Sequence, residues 1–253
     1  MKYLNKNYYY NSAIWFDIML VLMASVAGSI DVMSYFKLGH VFTANMTGNT
    51  ILLGLSVGQG NIASALHQLT ALAGFFSGAF LGAYIVQNSR KGWSHYITIS
   101  IAIETFIIMI LVFTWFTGPD IQNNYVLFTS IALSSIAMGI QSATIRHLNI
   151  PGVVTTFMTG TITSIGMNAI AGFKKGFKEK VKDGLPGLII TRNLEERIKL
   201  QVVIFFAYGL TAVITGWLEF HDSFFLPLLP FVLIICVLII VIKSPENPHL
   251  SKS

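Results

Sequence analysis

The chain has 253 residues, of which 54% are apolar or aromatic and only 11% are charged. Soluble domains carry about 25% charged residues, so this composition excludes an ordinary soluble enzyme or binding domain. The formal net charge of +5 comes from basic residues between apolar runs, a pattern that indicates membrane topology rather than nucleic-acid binding. The single cysteine, Cys236, excludes an intrachain disulfide and a cysteine-based metal cluster.

Several apolar runs are long enough to form membrane-spanning helices, which need about 20 residues to cross the hydrocarbon core. We predict six spans near residues 14–36, 62–86, 96–116, 125–145, 200–219 and 224–242. The one long connection, 173–199, is polar and basic, and we predict a cytoplasmic loop there.

Two further apolar segments, 38–58 and 150–172, are rich in glycine, threonine and asparagine and are poorer spans. One interpretation is that both cross the membrane, which gives eight spans. The other is that both are re-entrant, so that each enters extended and returns as a helix from about Met46 or Met158. Non-helical backbone at membrane depth is tolerated only where protein buries it or where it lines a wet cavity.

An internal repeat relates the two segments. Met46-Thr47-Gly48 recurs as Met158-Thr159-Gly160, and Ser29-Ile30-Asp31 upstream matches Gly139-Ile140-Gln141. Downstream, the block from Gly78 to Gly82 matches the block from Ala212 to Gly216. Three blocks in the same order indicate a duplication, with a first half at 1–116 and a second half at 117–253.

The distribution of charges chooses between the two topologies. With six spans and a cytoplasmic N-terminus, Arg90 and Lys91 lie inside, while Asp120, Glu219 and Asp222 lie outside. The positive-inside rule favours this arrangement over eight spans. Three spans per half place the halves in opposite orientation, the inverted repeat common among transporters. We therefore predict an all-α integral membrane fold with both termini in the cytoplasm.

The same residues resemble a known family. Gly28-Ser29-Ile30-Asp31, the stretch from Val41 to Asn49, Met138-Gly139-Ile140-Gln141 and the stretch from Thr155 to Gly160 are similar to the signatures of the YoaK-like bacterial membrane proteins. The resemblance covers nearly the whole chain. It implies a multi-pass protein of the bacterial cytoplasmic membrane, and it carries over no catalytic or binding residue.

Two of the carboxylates within predicted spans are singled out as candidates for function, because intramembrane ionisable residues are costly. Asp31 lies near the end of the first span, either as a functional group or as an interfacial residue bonded to backbone or to Lys37. Glu104 lies near the middle of the span 96–116, either as a proton relay or as a neutral acid between helices. Arg146 is a candidate partner for Glu104, or alternatively an inner-edge arginine.

The duplicated segments supply the remaining pathway candidates, which are polar side chains close to the predicted helix starts. Together with the two carboxylates they are Asp31, Asn45, Thr47, Asn49, Glu104, Gln141, Thr155, Thr156 and Thr159. Two helix N-termini at mid-membrane favour anions or carbonyl-type oxygens. The alternative is that Gly, Thr and Asn only permit close helix packing.

Glycines at every fourth position mark a helix-packing surface. Gly74, Gly78 and Gly82 lie on one face, and Ala212 and Gly216 match the last two in the second half. Such a face allows two helices to approach closely, within one chain or across a homo-oligomer.

We therefore expect a small-solute or ion transporter or channel, with the lipid bilayer and the solute as its partners and with no metal, cofactor or nucleic acid. The alternatives are an intramembrane enzyme for a lipid or isoprenoid, with Asp31 and Glu104 as its acids, and a non-transporting partner subunit. Solute flux and lipid turnover distinguish the three.

Overall fold

The computed structural model describes residues 6–87, 95–117, 123–148, 155–156, 158–176, 180–185, 188–221 and 223–243. These residues form eight α-helices and one β-hairpin. The helices are α1 (Lys6–Lys37), α2 (Met46–Gly58), α3 (Ile62–Val86), α4 (His95–Thr117), α5 (Asn124–His147), α6 (Met158–Lys175), α7 (Leu194–His221) and α8 (Leu228–Lys243).

The long helices have the length and composition of membrane spans. α1 from Ile14 onward, α3, α4, α5 and α7 are each long and apolar enough to cross a bilayer. α8 is shorter, with 16 residues or about 24 Å of helix, and is also apolar. The outside of the bundle carries large exposed side chains such as Phe76, Phe80 and Phe113. The chain is thus a multi-pass helical membrane protein.

The two short helices begin at the repeated methionines. α2 starts at Met46 and α6 at Met158, the residues from which the sequence predicts helices. The Asn45 side chain caps α2 by accepting the Gly48 N–H at 3.3 Å, which satisfies one of the free donors of the first turn. Gly39 and His40 have positive φ angles of 72° and 60°, and this turn reverses the chain directly after α1.

The segment 38–58 leaves and returns at the same end of the bundle. Gln68, in the second turn of α3, donates a 3.2 Å hydrogen bond to the His40 carbonyl, close to the end of α1. Residues 43–45 lie deeper in the bundle than His40. They bond to Asp31, which is about 9 Å from Lys37 along α1, toward the start of that helix. α2 is about 20 Å long and leads back to the start of α3.

The long helices pair between the two halves of the sequence. α1 packs along α7, and α5 packs along α3. Within each half, α2 packs on α3 and α6 packs on α7. α8 packs on α1, and α4 packs on α5. These contacts correspond to one another when α1–α4 are matched with α5–α8.

The glycine stripe on α3 lies against α5 of the same chain. A Cβ atom at Gly78 would stand 2.1 Å from the Ile136 carbonyl oxygen, and one at Gly82 would stand 2.9 Å from the Ile140 Cα. Gly74 is similarly close to Ala132. Because α5 of the same chain covers these glycines, a homo-oligomer contact would need another surface.

The matching surface of the second half is looser. A Cβ atom at Gly216 would lie 4.0 Å from Val32, which is ordinary contact, and the Ala212 side chain is half-buried. Gly28 of α1 makes the close approach on this side, because its Cβ atom would stand 2.4 Å from the Tyr208 carbonyl oxygen.

The basic segment 173–199 is more ordered than the predicted loop. α6 continues to Lys175, and strands β1 (Lys180–Leu185) and β2 (Leu188–Asn193) form an antiparallel hairpin. α7 then begins at Leu194, ahead of the predicted span. Asn193 and Glu196 cap it reciprocally, with each side chain accepting the other's backbone N–H at 2.8 and 3.0 Å. The predicted connection between the spans therefore contains a β-hairpin.

Candidate functional site

Asp31 holds the polypeptide that leads into α2. Its side chain is buried, and Oδ1 accepts hydrogen bonds from the backbone N–H groups of Thr43, Ala44 and Asn45 at 2.9, 2.7 and 3.3 Å. Oδ2 accepts a 2.7 Å bond from the Tyr208 hydroxyl of α7. All four neighbours donate, which is the arrangement that suits a carboxylate anion. Asp31 thereby satisfies donors that lipid could not satisfy.

Asp31 is bonded to backbone groups, which was one possibility given by the sequence, and it does not pair with Lys37, which was the other. The Lys37 ammonium instead lies 2.6 Å from Oε1 of Glu219. The physical reason is the alignment of α1 with α7, which places the C-terminal ends of both helices side by side. Phe36 and Phe220 pack edge to face beside this ion pair, with ring centroids 5.6 Å apart.

The residues around Met46-Thr47-Gly48 bond mainly to one another. The Asn49 side chain accepts the Phe42 N–H at 2.8 Å and donates back to the Phe42 carbonyl. The Thr43 and Ser34 hydroxyls lie 3.2 Å apart, and the Phe42 ring stacks on Tyr35. Asn49 therefore fixes the extended segment in front of α2 rather than presenting a free amide.

Gln141 of α5 contacts a residue ahead of α6, as Asp31 of α1 contacts residues ahead of α2. Its Nε2 donates at 3.0 Å to the Thr155 hydroxyl and at 3.0 Å to the Met23 carbonyl of α1. Ser142 and Thr156 hydroxyls lie 3.1 Å apart next to it. The predicted repeat matches Gln141 with Asp31; Asp31 contacts residues ahead of α2, and Gln141 contacts Thr155 ahead of α6. They differ in charge, and Gln141 Oε1 is buried without a partner within the described residues.

Thr47 and Thr159 occupy the same position in the two short helices, directly after the first residue. Both side chains are exposed, and within the described residues neither hydroxyl makes a hydrogen bond. By contrast, the Thr50 and Thr163 hydroxyls donate to backbone carbonyls one turn earlier in their own helices. Thr47 and Thr159 are therefore exposed threonines whose hydroxyls are not bonded to their own helices.

Glu104 is fully buried on α4, and neither of its oxygens has a hydrogen-bond partner in the described part of the chain. The candidate pairing with Arg146 is not formed, because Arg146 is exposed at the end of α5. An isolated ionised carboxylate would cost several kcal/mol at such a position, and this cost favours the neutral form of Glu104. Among the described side chains, no three His, Cys, Asp or Glu residues are close enough to hold a metal ion.

Tyr208 and Gln201 of α7 belong to the site, although the sequence analysis did not select them. Gln201 donates to Ser164 at 3.0 Å and accepts from Asn168 at 3.1 Å, which fixes α6 on α7. The two residues are seven positions apart, two turns along one helix face. Polar residues repeated on one face of an apolar span were the signal that could have identified them.

These features define the class of protein, a multi-pass helical membrane protein with two short helices that begin within the bundle. The family model described as "Protein of unknown function (DUF1275)" matches residues 19–241, and the chain belongs to this family. It is 36% identical over 176 residues to the UPF0700 transmembrane protein YoaK of Bacillus subtilis (strain 168), covering 68% of this chain and 76% of that protein. No solved structure matches the chain. The resemblance to YoaK-like membrane proteins is confirmed.

Proposed function

We propose that this protein is a transporter or channel for a small solute or ion, with a route lined by the segments 38–58 and 150–172. The observation that carries the proposal is the pair of short helices, α2 and α6. Each begins within the bundle behind a segment held by a buried polar side chain, Asp31 or Gln141. Each presents an exposed threonine, Thr47 or Thr159, on its first turn.

The depths of the two helix starts support a continuous route. Asp31 marks the start of α2, and Met23, the partner of Gln141, marks the start of α6. These two residues of α1 are about 12 Å apart along the helix axis. They lie on either side of the middle of the span Ile14–Lys37. A solute that leaves one helix start would therefore meet the other within the membrane.

The proposal includes the topology predicted from the charges. In it the five long helices and the shorter α8 cross the bacterial cytoplasmic membrane, both termini are cytoplasmic, and the two halves are inverted repeats. The corresponding helix contacts of the halves support this arrangement. So does the return of segment 38–58 to the end of the bundle from which it leaves.

The two helix starts offer different chemistry to a solute. The N–H groups before α2 are bonded to the Asp31 carboxylate, which offsets the positive end of the helix dipole. The corresponding residue near α6, Gln141, is neutral. A solute oxygen would therefore bind more favourably at the start of α6. Thr159, an exposed residue in the first turn of α6, offers a hydroxyl there.

Flux into vesicles containing the purified protein tests the proposal. Swelling in glycerol reports neutral solutes, and potential-sensitive dyes report K⁺ and Cl⁻. Flux above that of empty vesicles is expected for at least one of these probes. Thr47→Val and Thr159→Val should each reduce that same flux, because a solute loses a hydrogen bond worth about 0.5–1.5 kcal/mol.

Thr50→Val and Thr163→Val are the matched controls, because their hydroxyls are bonded to their own helices. These two variants should keep wild-type flux. Equal flux in all four variants would show that the hydroxyls of Thr47 and Thr159 do not contact the solute. Absence of flux for every probe would argue against transport, and lipid turnover in detergent would then favour the enzyme.

A further inference from the structure

The packed helices α4 and α5 carry a second set of buried polar side chains. It consists of Glu104, Gln141 and the hydroxyl pair Ser100 and Thr144, whose oxygens are 2.5 Å apart. All four side chains are buried. The unusual feature is a group of three acceptor oxygens without partners in the described residues, two on Glu104 and one on Gln141.

Helix register brings Glu104 and Gln141 to the same level. Ser100 near the start of α4 meets Thr144 near the end of α5, so the helices are antiparallel. Glu104 is four residues beyond Ser100, and Gln141 is three residues before Thr144, which are steps of about 6 and 4.5 Å in the same direction. These spacings also keep each pair on one helix face.

We infer that Glu104 and Gln141 form a proton-binding site that controls the hydrogen bond from Gln141 to Thr155, ahead of α6. This inference rests on the proposed function and deepens it, because it names the proton as the coupled ion. A carboxylic acid donates one bond through its O–H, and Gln141 Oε1 is an acceptor without a partner. A neutral Glu104 and Gln141 are therefore complementary.

Loss of the proton changes what Gln141 can do. A neutral Glu104 donates to Gln141 Oε1, and the Gln141 Nε2 keeps its 3.0 Å bond to the Thr155 hydroxyl. When the proton passes to a water molecule of the route, Glu104 becomes an acceptor only and attracts the Nε2–H group. Hydrogen bonds to a carboxylate are stronger than those between neutral groups, so the bond to Thr155 is lost and Gln141 no longer holds Thr155 ahead of α6.

No other titratable group described on the neighbouring helices faces Glu104. α4 packs against α5, α8 and α3. Their titratable side chains, with those of α4 itself, lie near helix ends or on the exposed surface: Tyr125, Arg146, His147, Cys236, Lys243, His67, Tyr84, His95 and Tyr96. A protonation change within this part of the bundle is therefore attributable to Glu104.

Infrared spectroscopy of the purified protein tests the proton directly. Wild-type protein at neutral pH should show the C=O stretching band of a protonated carboxylic acid, and this band should shift in D2O. Glu104→Gln should remove the band. Glu219→Gln is the matched control and should retain it, since Glu219 is ion-paired with Lys37. Absence of the band from the wild type would overturn the inference without any variant.

Hydrogen exchange tests the coupling to α6. Amide exchange of residues 155–165, corrected for its intrinsic pH dependence, should rise several-fold from mildly acidic to alkaline pH in the wild type. It should stay level in Glu104→Gln, which keeps a donor and cannot lose a proton. The same rise in both proteins would overturn the coupling. Flux without the infrared band would overturn this inference alone, and the band without flux would overturn the proposed function alone.

Discussion

The Tyr208 hydroxyl donates a 2.7 Å hydrogen bond to Oδ2 of Asp31, and this bond joins the second half of the chain to the first. Asp31 in turn holds the three N–H groups that precede α2. The start of a first-half helix is therefore positioned by a side chain of the second half. The 2.9 Å bond between Thr215 and Ser29 adds a further link between α7 and α1.

Tyr208→Phe should destabilise the protein, because the buried Asp31 loses a donor and hydrogen bonds to charged groups contribute about 1.5–3 kcal/mol. The expected result is a lower melting temperature in detergent by thermal unfolding. Tyr84→Phe is the control, because Tyr84 is exposed on α3. Equal melting temperatures of the two variants would mean that the bond to Asp31 contributes nothing to stability.

Asp31→Ala should be more harmful than Asp31→Asn. Alanine leaves the N–H groups of Thr43, Ala44 and Asn45 unsatisfied, and each such buried group costs about 1–3 kcal/mol. Asparagine keeps one carbonyl oxygen that can accept from them. Size-exclusion chromatography should show aggregated Asp31→Ala and largely monodisperse Asp31→Asn. Equal aggregation of the two variants would show that folding requires the charge of Asp31, which both variants lack, and not only an acceptor oxygen.

Gly78→Ala should disturb the packing of α3 on α5, because the new Cβ atom would stand 2.1 Å from the Ile136 carbonyl oxygen. Gly54→Ala in α2 is the control, because its Cβ atom would have nothing within 4 Å. That second change should be neutral or stabilise by about 0.5–1 kcal/mol, since glycine weakens a helix. Thermal unfolding measures both, and a stable Gly78→Ala protein would refute the close contact. The larger Gly78→Leu should disrupt folding outright, and Ala212→Leu should do so less severely.

Cysteine labelling tests the topology. In a Cys236→Ser background, Gln59→Cys and Asn123→Cys should react with an impermeant reagent added to intact cells. Lys91→Cys and Lys182→Cys should be protected, because the positive-inside rule places these basic segments in the cytoplasm. Residue 91 lies outside the residues that the structure describes. Labelling at residue 91 from outside would favour eight full spans over the inverted arrangement.

The sequence by itself determined the six apolar helices and the starts of the two short helices. Spanning a bilayer requires a local run of apolar residues, and a local pattern can be found without knowing its neighbours. Met46 and Met158 begin α2 and α6 for a similarly local reason, and Asn45 supplies the cap at the first of them. Charge distribution in the connections likewise predicted the orientation that we propose.

Only the tertiary structure decided which polar groups meet. Tyr208 lies 177 residues from Asp31, and Met23 lies 118 residues from Gln141. The pairing of Lys37 with Glu219 and the isolation of Glu104 were equally undetermined. The physical reason is that contacts between spans depend on which helices are neighbours and which faces they turn to one another. In this chain those faces are set by close approaches at Gly28 and Gly78, where one helix lies against the backbone of another.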